Sequence, residues 1–301
     1  MEEKRMNFNE FTDEIVALLK EKMGNTCTVT VTEVLKNNNV RLTGIVITED
    51  AKSVSPTFYL EEPYKRYQEG VSLEVIAEEI KAEYEEHARN LQLDMGFFKD
   101  FSQVKGRIFH KVINYEKNLE LLKDVPYFRW HDLAVVFYYE MEEASFGKAS
   151  ILLHNSHLAM WGQSADGIYR IAQQNMKQKM PELLIPMQKL INELREEGME
   201  IKEPEVKLYI LTNREKMFGA SAMLYSEKIK ELADSFGSDL LILPSSTHEV
   251  MLLPDDSDHK YDFYKEMVYA VNTTQVDPEE ILSFNLYRYD RQKGEIEEVA
   301  V

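Results

Sequence analysis

The run Leu133-Ala134-Val135-Val136-Phe137-Tyr138-Tyr139 carries an apolar side chain at every position. Successive side chains of an extended strand point to opposite faces, so this run has no face to give to water. It reads as a central strand covered on each side. A chain built around such a strand has to supply covering layers. With 301 residues and 44% hydrophobic content it has the material, since a fold of this size removes roughly 75% of the unfolded surface from water.

The covering elements are legible as stripes. Phe8, Phe11, Ile15, Leu18 and Leu19 fall on one helical face, with Asn7 as a cap and Gly24 as a stop. Thr26 to Leu35 and Val40 to Thr48 form a hairpin across Lys36-Asn37-Asn38-Asn39, because asparagine tolerates left-handed turn conformations. A short strand at Thr57 to Leu60 leads to a helix capped by Ser72, with Leu73, Ile76, Ala77, Ile80 and Tyr84 inward. From Leu93 to Asp124 no clean period emerges, and a partly helical connector is expected.

Further on, Phe146-Gly147 turns into Ala149 to Leu153, and Ser164 caps a helix carrying Ile168, Ile171, Ala172 and Met176. Pro181 and Pro186 flank the start of a long helix that ends at Gly198, and residues 200–205 read as a linker. Strands follow at Val206 to Leu211 and Ala220 to Tyr225. Next come a helix capped by Ser226, a hairpin with Pro244-Ser245-Ser246-Thr247-His248 at its turn, and a last helix capped by Asp258.

The expected class is therefore α+β, with mixed or antiparallel sheets built from ββα-type modules and helices packed on one face. Three segments divide the chain: 1–92 holds a helix, hairpin and helix, 93–200 a central strand-helix module, and 201–301 a C-terminal strand-helix module. All three are expected to fold as one unit.

Charge bounds the partners. Asp and Glu number 53 against 35 Lys and Arg, a formal balance of -18, so nucleic-acid phosphate is repelled by the average surface and no direct nucleic-acid partner is expected. The expected partner is another protein, of basic charge. One cysteine, Cys27, rules out an internal disulfide and a multi-cysteine metal site and fits a reducing compartment. No signal-peptide pattern opens the sequence, and no apolar run approaches the ~20 residues that span a bilayer. A cytoplasmic location without membrane insertion is expected.

Two polar knots stand out. In His154-Asn155-Ser156-His157, followed by Trp161, a helical conformation would let both imidazoles share a metal. No third ligand stands at a matching spacing, so no metal or cofactor is expected. The reading from the residues is a loop whose polar groups bond to nearby backbone, with Trp161 in the core. In Ser245-Ser246-Thr247-His248-Glu249, hydroxyl, imidazole and carboxylate are adjacent, whereas the partners of a catalytic triad converge from separate elements. Gly219-Ala220-Ser221-Ala222 lacks the lysine of a phosphate loop and reads as a small-residue strand beneath a helix. Candidate binding or pocket residues are thus His154, Asn155, His157, Trp161, Asn213, Ser221, Ser246, His248 and Glu249, and no catalytic residue is assigned.

Leu211-Thr212-Asn213, Gly219-Ala220-Ser221, the stretch Asp239 to Val250 with its Leu243-Pro244-Ser245-Ser246-Thr247-His248-Glu249 run, and the tail Tyr287-Arg288-Tyr289-Asp290 carry a resemblance. Over nearly its whole length the chain resembles an uncharacterised bacterial family of gut Firmicutes and their mobile elements, known only as a domain of unknown function. In layout it is more distantly similar to the YtpQ-like proteins of Bacillus-type bacteria. The resemblance implies a bacterial cytoplasmic protein, with residence on mobile elements, and transfers no catalytic residue.

Three functions stay open. The first is a non-enzymatic acidic binding or regulatory protein. The second is an enzyme of unrecognised type, with His154, His157, Asn213, Ser246, His248 and Glu249 meeting in a pocket between modules. The third is a nucleic-acid-mimicking inhibitor of a host defence protein, which needs carboxylates set in a stripe of near-duplex spacing.

Overall fold

A computed structural model describes residues 5–24, 27–49, 56–90, 95–141, 149–193, 207–255 and 260–299. The expected Phe146-Gly147 turn, the helix stop at Gly198, the 200–205 linker and the Asp258 cap lie outside the described residues.

The chain divides into two compact units. The smaller comprises Met1–Lys36, Val40–Asp100 and Glu142–Ala149. Its first helix, α1 (Phe8–Met23), begins with a reciprocal cap: Asn7 Oδ1 accepts the Glu10 N–H at 3.0 Å, and Glu10 Oε2 accepts the Asn7 N–H at 2.9 Å. The strands β1 (Thr28–Leu35), β2 (Arg41–Thr48) and β3 (Thr57–Tyr59) form an antiparallel sheet in that order. Helices α2 (Glu61–Gln68) and α3 (Leu73–Asn90) follow. Phe11, Ile15 and Leu19 of α1 close a core with Ile45, Ile47, Ile76, Ala77 and Ile80, so the sheet buries one face beneath α1 and α3.

The larger unit takes the hairpin tip Asn37–Asn39 together with Phe101–Met141 and Ser150–Val301. Its elements in order are α4 (Phe101–Val104), β4 (Ile108–Asn114), β5 (Tyr127–Trp130), β6 (Leu133–Glu140), β7 (Ser150–Leu152), α5 (Asn155–Trp161) and α6 (Ala165–Lys179). They continue with β8 (Glu182–Pro186), α7 (Met187–Glu193), β9 (Tyr209–Asn213), α8 (Lys228–Phe236), β10 (Leu240–Leu243), β11 (Val250–Pro254), α9 (Tyr261–Thr274), β12 (Tyr287–Asp290) and β13 (Glu295–Glu298). In the tip, Asn38 and Asn39 take left-handed backbones (φ 59° and 58°), the conformation their residue type tolerates.

Two antiparallel sheets result. In one, β6 pairs along its length with β4, while β5 and β7 share its other edge end to end. The run Leu133–Tyr139 is buried throughout, as its two-sided apolarity requires. The other sheet has the order β13-β12-β10-β11-β9-β8, so β8, from the stretch 93–200, pairs with β9, from 201–301. One apolar cluster joins both sheets, drawing Val112, Leu133 and Val135 from the first and Leu211, Leu240, Ile242, Val250, Leu252 and Tyr287 from the second.

The class is α+β with antiparallel sheets. Several local expectations shift. The expected connector contains β4, the long helix expected from Pro181 begins as the strand β8, and Ala220 to Tyr225 forms a 3-10 run (Gly219–Leu224) rather than a strand. No described helix is long and apolar enough to cross a membrane.

Candidate functional site

The structure gathers part of the expected site into a knot where β9 turns into the 3-10 run. Asn213 at the end of β9 donates from Nδ2 to Met217 O (2.8 Å) and accepts the Met217 N–H on Oδ1 (3.3 Å). This tie closes a turn in which Lys216 and Phe218 are left-handed, φ 53° and 52°. Ser221 Oγ donates to Phe218 O at 2.9 Å, Ser246 Oγ accepts the His248 N–H at 3.0 Å, and Thr212 Oγ1 donates to His248 O at 2.8 Å. A Cβ at Gly219 would overlap Thr212 Oγ1 and stand 2.5 Å from His248 O, so only glycine fits between β9 and the turn before β11.

His248 stacks on Phe218 (centroids 5.4 Å apart, planes 17° apart), and its Nδ1 accepts the Phe218 N–H at 3.2 Å. That bond places the ring proton on Nε2, which faces Glu280 Oε1 at 3.3 Å. The carboxylate beside His248 is therefore Glu280 and not Glu249, whose main-chain oxygen accepts the Ser246 N–H. Asn213, Ser221 and Ser246 are buried, and the bonds named for each run to main-chain atoms. Such bonding fixes a loop in place.

The second expected group lies at the start of α5. His154 precedes α5 and His157 lies in its first turn, so the expected loop is helical. His154 Nδ1 meets Asp124 Oδ2 at 2.7 Å, and His157 Nδ1 accepts the His154 N–H at 3.1 Å. Partial burial lowers the His157 pKa, with His154 adding to the shift and Asp124 opposing it. Asn155 is exposed, and Trp161 is buried against the rings of His157 and Phe101. The bonds named for this group and for the His248 knot share no residue. Among the described residues no three His, Cys, Asp or Glu side chains are placed to share a metal ion.

The larger unit has an open cleft of about 420 Å³ that neither group lines. Its walls include Trp130 at the end of β5, Tyr169 on α6, Tyr225 after the 3-10 run and Tyr289 on β12, with Glu227 and Lys230 exposed at the start of α8. The walls are held from behind. Trp130 packs on Tyr287 (5.7 Å), whose hydroxyl donates to Asp132. Asp132 also accepts from Ser283 Oγ at 2.6 Å and Asn285 Nδ2 at 3.1 Å. Tyr225 donates its hydroxyl to Met180 O at 2.8 Å. Tyr169 accepts from Gln173 Nε2 at 3.0 Å and lies against Phe128, 4.9 Å between centroids.

All three cleft phenols have raised pKa values. Burial is the first cause for each, with Glu182 adding to it at Tyr225 and Asp234 and Asp290 at Tyr289. Rings that stay neutral make a surface for flat or apolar groups.

Packed against Tyr169 and Tyr225 is His110 of β4, with centroids 6.2 and 5.9 Å away. It is fully buried, and neither ring nitrogen has a hydrogen-bond partner among the described residues. Desolvation alone lowers its pKa to about 4, so the ring is neutral at neutral pH.

Sequence reasoning missed Trp130, Tyr169 and His110. The available signals were Phe128 and Trp130 two residues apart, which a strand puts on one face, and an imidazole two residues from both Ile108 and Val112.

A family described as "Family of unknown function (DUF5688)" matches residues 8–291 of the chain. No curated protein and no solved structure matches it.

Proposed function

Because the chain belongs to the DUF5688 family of unknown function, its role is read from its own residues, and we propose that it is a non-enzymatic binding protein whose larger unit takes a small ligand in the aromatic cleft. The carrying observation is the cleft itself: four aromatic side chains from separate stretches of the chain line one open hollow together with Glu227 and Lys230. Aromatic walls are common in ligand sites, and about 420 Å³ falls in their usual size range. The bonding of Asn213, Ser221 and Ser246 to the main chain favours binding over the pocket-enzyme alternative, because Ser246 meets the His248 main chain and not its imidazole. The charge of -18 favours a neutral or cationic occupant, disfavours direct nucleic-acid binding and favours a basic protein as any macromolecular partner. On the resemblance given above, the protein works in a bacterial cytoplasm, with its gene carried on mobile elements.

A ligand-observed NMR screen of small fragments tests the reading, with wild type compared with Trp130→Ala. Fragments are expected to bind the wild type and to lose binding in the variant, whose circular dichroism is checked in parallel. A screen without hits, or hits indifferent to Trp130, would overturn the cleft as the site.

A further inference from the structure

We infer that the cleft's occupant is an aromatic α-amino acid, with its ring among the cleft aromatics and its charged head between Glu227 and Lys230. The inference rests on the cleft being the binding site and adds what it binds.

The starting point is a pair of opposite charges that stand close together and unpaired. Glu227 and Lys230 are the charged residues among the cleft's walls, and both are exposed. Glu227, the residue before α8, already has a helical backbone (φ -81°, ψ -19°). Residues three apart on a helix hold their Cβ atoms about 5–6 Å from each other. Among the described residues neither side chain has an ion-pair or hydrogen-bond partner.

The ionic groups nearby are already matched. Asp234 meets Arg291 Nε at 2.8 Å, and Lys293 Nζ meets Asp290 at 3.4 Å and Glu297 at 2.6 Å. The walls themselves therefore offer one anion and one cation, which balance. A ligand with a single charge gains from one of the two and is opposed by the other, whereas a zwitterion gains from both.

The spacing narrows the class. An α-amino acid carries its ammonium and carboxylate on one carbon, so its head fits between two side chains a few ångströms apart, the ammonium toward Glu227 and the carboxylate toward Lys230. Ser226, also in the wall, accepts the Lys228 N–H on Oγ at 3.2 Å, which leaves its own O–H to donate to that carboxylate. Beyond the head, Trp130, Tyr169, Tyr225 and Tyr289 offer π faces and edges, and these favour an aromatic ring over an aliphatic side chain.

The test is isothermal titration calorimetry of the full chain at neutral pH and low salt. L-Phenylalanine is the probe, with phenethylamine, which keeps only the ammonium, and 3-phenylpropionate, which keeps only the carboxylate. L-Phenylalanine is expected to bind roughly fivefold tighter than either. Glu227→Gln is expected to weaken L-phenylalanine and phenethylamine by roughly fivefold without weakening 3-phenylpropionate, and Lys230→Gln to weaken L-phenylalanine and 3-phenylpropionate without weakening phenethylamine. Both positions are exposed, so the variants are expected to melt with the wild type. Should either melt earlier, the ranking of the three ligands on the wild type carries the test.

L-Phenylalanine binding no tighter than the better of its two analogues would overturn the zwitterion. Variants that weaken all three ligands alike, or none, would overturn the seat of the head between Glu227 and Lys230. L-Phenylalanine binding that survives Trp130→Ala would remove the ligand from the cleft altogether. Should all three ligands fail while fragments still bind in a Trp130-dependent way, the ligand class falls and the binding site stands.

Discussion

At the residue scale, the titration of His110 gives a direct check on its burial. Its pKa is about 4 in the folded protein against 6.5 for the free side chain. Below pH 6.5 the unfolded chain takes up a proton that the folded chain refuses, so stability falls as pH drops, and the loss is complete near pH 4. Wild type is expected to lose about 3 kcal/mol relative to His110→Leu across that window. Urea unfolding of both proteins at steps between pH 7 and pH 4 measures it, and parallel curves would show that the imidazole is not desolvated as described. The burial was partly legible, because the alternation Ile108, His110, Val112 puts the imidazole on an apolar strand face, but nothing in the sequence shows that the ring finds no hydrogen-bond partner there among the described residues. Ser246, His248 and Asn213 stood among the candidate residues. Their bonds to the main chain were not legible, because whether a hydroxyl faces a ring or a backbone amide depends on turn geometry rather than residue type.

At the element scale, caps and the long apolar run Leu133–Tyr139 were readable, and short apolar runs were not. Asn7 and Ser164 cap α1 and α6 as their residue types predict, each accepting an amide hydrogen from the first turn. Asn7→Ala is expected to cost about 1 kcal/mol, seen as faster hydrogen exchange over the first turns of α1. Unchanged exchange there would mean that the sheet beneath α1, and not its cap, holds that end. By contrast, Leu183-Leu184-Ile185 reads as well for a helix as for a strand, because a short apolar run has no period of its own. Pairing with β9 decides it, and Pro186 at the strand's end is tolerated because β8 is an edge strand. The strand β4 went unread for a similar reason, since His110 and Lys111 interrupt its apolar pattern.

At the scale of the whole molecule, the acidic balance is the dominant variable. With -18 formal charges, self-repulsion opposes the compact state at low ionic strength. Raising sodium chloride from about 20 mM to about 300 mM shortens the Debye length from tens of ångströms to several and is expected to raise the melting temperature by a few degrees. Scanning calorimetry across that range checks it, and a flat or falling response would mean that the ion pairs outweigh the net repulsion. The α+β class followed from the alternation of β-rich runs with striped helices. The division into two units did not, because which strands share a core depends on pairings far apart in sequence.

One such pairing shapes how the molecule is made. In the six-stranded sheet β10 lies inside, between β11 and β12, and β12 brings Tyr287 and Tyr289 into the cluster that both sheets share. A ribosome therefore emits most of this sheet before the strand that closes it exists. While translation proceeds from about Leu243 to Asp290, one long side of β10 waits with open amides and carbonyls. Through that interval the nascent larger unit is a template for any passing extended segment, which makes the pace of synthesis over these codons a determinant of its yield.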